Sequence, residues 1–591
     1  MKNNGQIKVS DYIVDFLKQQ GIRHVFTFVG GSLAHIVDSL HFRKDIKTIV
    51  VHHEQAGAFA AEGYSRINKN LGVAIATSGP GATNLITGIG SAFFDSIPCI
   101  YITGQVNTYE YKNKRPVRQV GFQETDIVSI AKRITKYSVM ITDANMIRYH
   151  LEKAVYLAKS GRPGPVLVDI PLNIQRTYIN PEKIKSFIRK EKSGKRCPVD
   201  RVIMFLQTSE RPVVLAGGGV RISGAETELY RFIKKTGIPV VSSLMGLDAY
   251  PHTEPEYSGM LGAYGNRFAN FTVANSDLLL IIGSRLDTRQ TGTVPKNFAR
   301  AARIIHVDID RNELEYKKIK ADLNINADAS VFLKELNKKI KNIIFPDFSE
   351  WRKIVENYKK KYPSYTEKEN KGYIDPNYFF ELLSVNTKEN DIICSDVGQN
   401  QIWTAQSFIL KKGQRLLTSG GMGSMGFSLP SAIGAYLAKE NKGNVIVITG
   451  DGGFQINIQE LQTVVRNKIP LKIFLLNNNC LGMVRQFQQI YFNRHYNATV
   501  LGYSNPDFQK VVKAYGINTW NIKSIKNAEE IINKVLISKK TEFVEVMLNM
   551  KSIVDPKLLV NRPIEDQSPF LSRKELKENM LIDIITEFKK I

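Results

Sequence analysis

Three blocks of short apolar segments alternating with helical patterns predict an α/β chain of three doubly wound parallel-sheet domains. Two observations carry that expectation. The strand candidates are almost wholly apolar and end in Gly, Pro or another small residue, as strands entering βα turns do. And 591 residues exceed what one core can organise, pointing to about three or four domains.

The first domain is expected over residues 1–182. It opens with an amphipathic helix in MKNNGQIKVSDYIVDFLKQQ and continues through the strands HVFTFVG, VAIATSG, PCIYITG and PVLVDIP. A basic polar stretch, KIKSFIRKEKSGKRCP, marks its end. The second domain, 195–340, contains PVVLAGGG, IPVVSSL, DLLLIIGS and RIIHVDID. A Lys- and Tyr-rich run, KIVENYKKKYPSYTEKENKGY, is read as a linker. The third domain, 365–552, contains DIICSDVG, NVIVITGDGG, LKIFLLNNN and EFVEVML, and residues 553–591 form a tail.

Composition narrows the function. The chain is 43% apolar and 23% charged, as soluble globular proteins are, and no apolar run approaches the ~18–20 residues that cross a bilayer. The net charge of +25 is spread along the chain without an accompanying nucleic-acid motif, so neither nucleic acid nor membrane is expected as a partner. The four cysteines (Cys99, Cys197, Cys394, Cys480) lie far apart with no CxxC pair, which suggests neither zinc nor a disulfide scaffold and makes the cytoplasm the expected location.

The chemistry concentrates in residues 450–480, GDGGFQINIQELQTVVRNKIPLKIFLLNNNC. One strand ends in Gly450-Asp451-Gly452 and the next in Asn477-Asn478-Asn479. In a parallel αβ unit both strand ends emerge on one edge of the sheet, where ligands bind. Asp451, Asn478 and a nearby backbone carbonyl, that of Cys480, therefore make a hard-oxygen site suited to Mg²⁺, which takes few protein ligands plus phosphate oxygens and water. Gly452 and Gly453 let the backbone approach a diphosphate closely.

This GDG…NN pattern resembles that of thiamine-diphosphate enzymes. With VVHHEQAGAFAAEGYSR, TSGPGATNLITGIGSAFFDSIPCIYITGQV, SDVGQNQIWTAQ and SGGMGSMGFSLPSAIGA, the chain resembles the acetolactate synthase (acetohydroxyacid synthase) catalytic subunit over roughly residues 6–550. That family condenses two 2-ketoacids with loss of CO₂. The resemblance implies thiamine diphosphate bound by Gly30, Gly31, Val397, Gly398, Gln399, Asn400, Gly423, Gly452 and Gly453, with Met425 bending it. It implies that Glu54 stands against N1′ of the aminopyrimidine, so that the cofactor's own amino group becomes the base. Phe122 and Gln123 would lie on the donor side, and Arg289 would fix the acceptor carboxylate. Arg162 of the first domain and, in the middle domain, Gly218, Ser243, Leu244, Gly283, Arg285, Asp287, Asp308 and Asp328 match positions that bind a structural FAD. The superfamily further implies a homodimer or tetramer whose cofactor lies between the first domain of one chain and the third of another. It allows a regulatory small subunit.

Four positions depart from the family: Phe487 stands for a Trp that selects the larger ketoacid, Leu172 for a Lys, Asn400 for a His and Thr288 for an acid. The segment KNKRPVRQV and the tail, which folds over the active site in relatives, also differ. These departures surround the acceptor and leave two expectations: a second 2-ketoacid, or a nucleotide-linked ketosugar of surface-polysaccharide biosynthesis.

Overall fold

The apolar runs become the central strands of three six-stranded sheets in which every adjacent pair is parallel. The computed structural model describes residues 5–189, 197–365, 373–439 and 443–587. The first sheet runs Lys47–Val50, His24–Phe28, Gly72–Ala76, Cys99–Gln105, Val166–Pro171, Tyr137–Met140 across its width. The third runs Arg415–Leu417, Ile392–Ser395, Val445–Gly450, Leu471–Asn477, Glu542–Met547, Asn518–Ile522. Counted by order along the chain within each sheet, both read 2-1-3-4-6-5, an internal repeat of topology that the sequence does not display. The middle sheet reads 3-2-1-4-5-6, the order of dinucleotide-binding folds. The edge strands Tyr137–Met140 and Asn518–Ile522 were not among the expected runs; they are short and only partly buried, so they lack the continuous apolar signature of the central strands.

The first and third domains meet through two helices that occupy equivalent places in the repeat, Glu54–Asn68 and Ser428–Ala438. Glycines let them touch along the backbone. A Cβ on Gly434 would lie 1.8 Å from the Ala60 carbonyl oxygen, and one on Gly63 would lie 2.2 Å from that of Ser431. Phe59 packs edge-on to Phe427 beside this crossing, and the apolar core runs through it from one domain to the other. Asp95 adds a polar tie, accepting from the Gly420 and Gly421 N–H groups (2.9 and 2.7 Å) while its carboxylate pairs with Arg66.

One expectation is corrected. The Lys- and Tyr-rich run is not a linker throughout: Ser349–Lys361 is a helix that buries Trp351, Val355 and Tyr358 on the middle domain. That spacing of four and three residues is one helical face, masked in the sequence by the lysines around it. Residues 366–372 of the run lie outside the described residues, as do 190–196 of the basic stretch. The tail also clasps the middle domain: Arg267 donates to the Gln567 and Pro569 carbonyls, and Asn270 to that of Ile564. Among the described residues no helix is long and apolar enough to cross a membrane.

Candidate active site

In the third sheet the strand order reverses between Ile392–Ser395 and Val445–Gly450. In an open α/β sheet the crevice beyond the carboxyl ends of such strands is where ligands bind. A cavity of about 110 Å³ opens there. Val397, Gly398, Gln399, Asn400, Met425, Gly452, Gly453, Asp451, Asn478 and Cys480 all line it. Ten residues singled out on three separate segments are thus brought to one place.

Its floor is set by local turns. Asp451 is the first residue of the helix Asp451–Ile456; its Oδ1 accepts from the Gly452 N–H at 3.0 Å. Asn505 donates to its Oδ2 at 2.7 Å and to Asn477 Oδ1 at 3.0 Å, fixing the carboxylate. Burial pushes the Asp451 carboxyl up, as expected of an acid placed where a cation belongs. Asn478 donates to Gln399 Oε1 at 2.9 Å, which leaves its own Oδ1 facing the turn that contains Cys480. Burial pushes the Cys480 thiol up to about 11, so at neutral pH this residue offers a carbonyl oxygen and no thiolate. Among the described residues no cluster of three or more His, Cys, Asp or Glu forms a cage for a metal. One carboxylate, one amide oxygen and a carbonyl suit Mg²⁺, which keeps water and phosphate oxygens in its remaining positions. Space for the phosphates is kept by glycine: a Cβ on Gly452 would press Leu481 at 2.7 Å and Met425 at 3.2 Å. Asp396 holds the opposite wall, accepting from Val397, Gly426 and Ser428 N–H groups.

The equivalent reversal in the first sheet holds the rest of the expected cofactor residues. Gly30 sits against Thr77, where a Cβ would lie 2.6 Å away, and Gly31 faces open space. Glu54, 6% exposed, opens its helix and accepts from Asn84 Nδ2 at 2.9 Å; Gly81 leaves room beside its Oε1. Gln123 has a positive φ of 63° and packs on Gly79, while Phe122 next to it is 84% exposed. Within one chain these residues do not line the Asp451 pocket. Gln55 reaches the third domain through Asn457 at 3.4 Å, but Glu54 turns away toward Asn84. Gly423, with a φ of 68°, has nothing within 4 Å of a Cβ.

A second cavity, about 270 Å³, lies at the reversal of the middle sheet. Arg162, Gly218, Ser243, Leu244, Gly283, Arg285, Asp287, Asp308 and Asp328 line it, and so does Arg289. Gly217 and Gly219 touch Gly283, whose carbonyl accepts from the Gly219 N–H at 2.9 Å; a Cβ on Gly217 would lie 2.1 Å from that oxygen. Arg162 is held by Ser96, Asp310 and Glu313. Arg285 and Arg289 make no ion pair among the described residues, and burial pushes Asp308 up to about 6. A glycine cradle beside the uncommitted guanidinium of Arg285 fits a dinucleotide diphosphate. Asn505, Asp396 and Gln399's amide contact were not foreseen; Asn505 sits in a non-periodic loop, YSNPD, which carries no motif.

Comparison with known proteins fits this geometry. Residues 7–130 match the thiamine pyrophosphate enzyme N-terminal TPP binding domain, 199–336 the central domain and 396–546 the C-terminal TPP binding domain. Fold and pocket therefore define a thiamine-pyrophosphate-dependent enzyme. The chain is 37% identical over 567 residues to chloroplastic acetolactate synthase 2 of Nicotiana tabacum, covering 93% of this chain and 83% of that protein. It is 36% identical over 552 residues to the acetolactate synthase large subunit of Lactococcus lactis, covering 93% of each. To the probable acetolactate synthase large subunit of Methanocaldococcus jannaschii it is 37% identical over 555 residues, covering 92% of each. The chain belongs to the acetolactate synthase family.

Proposed function

We propose that this enzyme decarboxylates pyruvate and joins the two-carbon unit to a second 2-ketoacid, giving acetolactate when both are pyruvate. The observation that carries the reading is the single pocket at the third sheet's reversal, where the phosphate-approaching glycines and the hard-oxygen donors converge. Val397, Gly398, Gln399, Asn400, Gly452 and Gly453 hold the diphosphate, with Mg²⁺ on Asp451, Asn478 and the Cys480 carbonyl. Thiamine diphosphate, when bound, supplies the electron sink for decarboxylation. Glu54 would share a proton with the pyrimidine, Met425 and Gly423 together with Gly30 and Gly31 would hold it, and Phe122 with Gln123 would close the donor side. FAD fills the middle cleft as a structural ligand, a role supported by the 3-2-1-4-5-6 order and the glycine cradle.

The enzyme acts as a homodimer or larger assembly. Glu54 does not line the pocket that holds Asp451, and exposed apolar side chains (Phe28, Val29 and Phe122 in the first domain, Met422, Ile456 and Val484 in the third) await cover. A small regulatory subunit is compatible with the large-subunit relatives. Four buried free cysteines favour a reducing compartment, the cytoplasm. The acceptor is the open choice: Arg289 suits a carboxylate, whereas Phe487, Leu172, Asn400 and the tail depart from the family. Purified enzyme with pyruvate, Mg²⁺, thiamine diphosphate and FAD is incubated with and without a nucleotide-linked 4-ketosugar. Mass spectrometry should show acetolactate as the main product. Trace acetolactate beside an accumulating branched sugar would replace the ketoacid with the ketosugar.

A further inference from the structure

Lys557 is 5% exposed, yet among the described residues its ammonium makes no ion pair and no side-chain hydrogen bond. Three rings surround it instead: Nζ lies 5.8 Å from the centroid of Tyr264, 5.6 Å from Phe487 and 5.7 Å from Tyr491. The nitrogen is not among the polar atoms sealed from solvent. Burying an ammonium without a counter-charge is costly, and ring faces return only part of that cost. Burial accordingly pushes its pKa down, and the Asp555 charge offsets this incompletely.

A second uncommitted cation stands on the same support. The Ala263 N–H donates to the Arg289 carbonyl at 2.6 Å, and the Ala263 carbonyl accepts from the Leu558 N–H at 2.6 Å. One backbone residue therefore positions Arg289 on one side and Lys557 on the other. Tyr264 follows it in the chain, with its ring toward Lys557 and its hydroxyl within the field of Arg289. Tyr264 and Arg289 line the middle-domain cleft. Phe487 and Tyr491 belong to the helix Gly482–Tyr491, whose first turn lines the diphosphate pocket. Lys557 lines neither cavity itself but joins Tyr264 of the middle-domain cleft to the later turns of the helix whose first turn lines the diphosphate pocket, and so sits at the seam between them.

We propose that Lys557 is an acceptor-binding residue which, with Arg289, receives the anionic group of the acceptor at this seam. The inference rests on the carboligase reading above. The shared ligand chemistry is an anion, either the carboxylate of a 2-ketoacid or the diphosphate of a nucleotide-linked sugar.

The test compares wild-type holoenzyme with Lys557→Met and Lys557→Arg. Coupled product and released CO₂ are measured against acceptor concentration, with 2-oxobutanoate in one arm and a UDP-linked 4-ketosugar in the other. Losing a charge-assisted contact should raise the acceptor KM of Lys557→Met by ~10-fold or more in the arm that supplies the natural anion. The ratio of coupled product to CO₂ should fall with it, and Lys557→Arg should restore most of both. An unchanged acceptor KM in both arms would overturn the proposal while leaving the carboligase reading intact. Wild-type product in the sugar arm alone would instead remove the ketoacid reading, and Lys557 is then judged by its KM in that arm. If wild type couples neither acceptor, saturation-transfer NMR of 2-oxobutanoate and UDP decides: loss of binding in Lys557→Met sustains the proposal and equal binding refutes it. Should Lys557→Met fail to fold, Lys557→Gln replaces it in the same measurements.

Discussion

Asp451 shows how one side chain can be fixed for a ligand before the ligand arrives. Its own turn supplies one hydrogen bond and Asn505 a second, leaving a buried carboxylate with its charge unopposed. Asp451→Ala should abolish Mg²⁺-dependent retention of thiamine diphosphate, read by titration calorimetry; binding at wild-type strength would remove Asp451 from the metal site. Glu54→Gln separates the second role. It preserves shape and one acceptor oxygen toward Asn84 but cannot share the proton at the pyrimidine. Cofactor affinity should hold while turnover falls by ~100-fold or more, as when an acid–base group is lost. C2 proton exchange as fast as wild type, followed by NMR, would rule this role out. Asp451 and Asn478 could be placed together from the sequence because strand ends in a parallel sheet share one edge, whereas the role of Glu54 was implied only by the family resemblance. Asn505 and Lys557 could not be placed, since each acts across a loop contact that no period or motif encodes.

Among elements, the pair Glu54–Asn68 and Ser428–Ala438 ties the first domain to the third. Their closeness depends on Gly63 and Gly434, where backbones meet with no room for a methyl group. Gly434→Ala places a Cβ on the Ala60 carbonyl and should cost ~1–3 kcal/mol by overpacking, seen as a lower midpoint in chemical denaturation. A midpoint equal to wild type would mean that the helices can part without loss. No motif or period in the sequence marks these two glycines as a crossing point. The buried strands were easy to read because both faces are covered and the runs are continuously apolar. The helix Ser349–Lys361 was misread because its buried stripe of Trp351, Val355 and Tyr358 is narrow and its other faces are basic.

For the whole molecule, the repeated 2-1-3-4-6-5 sheets each place part of the proposed cofactor site at their reversal points. The first holds Glu54 and the third holds Asp451, with the dinucleotide-type domain between them in the chain. One chain does not bring Glu54 into the Asp451 pocket. The central claim is that two copies do, each lending its first domain to the other's third. Co-expressed Glu54→Gln and Asp451→Ala chains, purified as the mixed dimer through distinct tags, test this directly. If the site is shared between chains, the mixed dimer has one site with both changes and one with neither. Its turnover should recover to about half that of wild type, far above either parent, given the ~100-fold loss expected of Glu54→Gln alone. Activity no higher than the mean of the two parents would contradict the account and place each cofactor within a single chain.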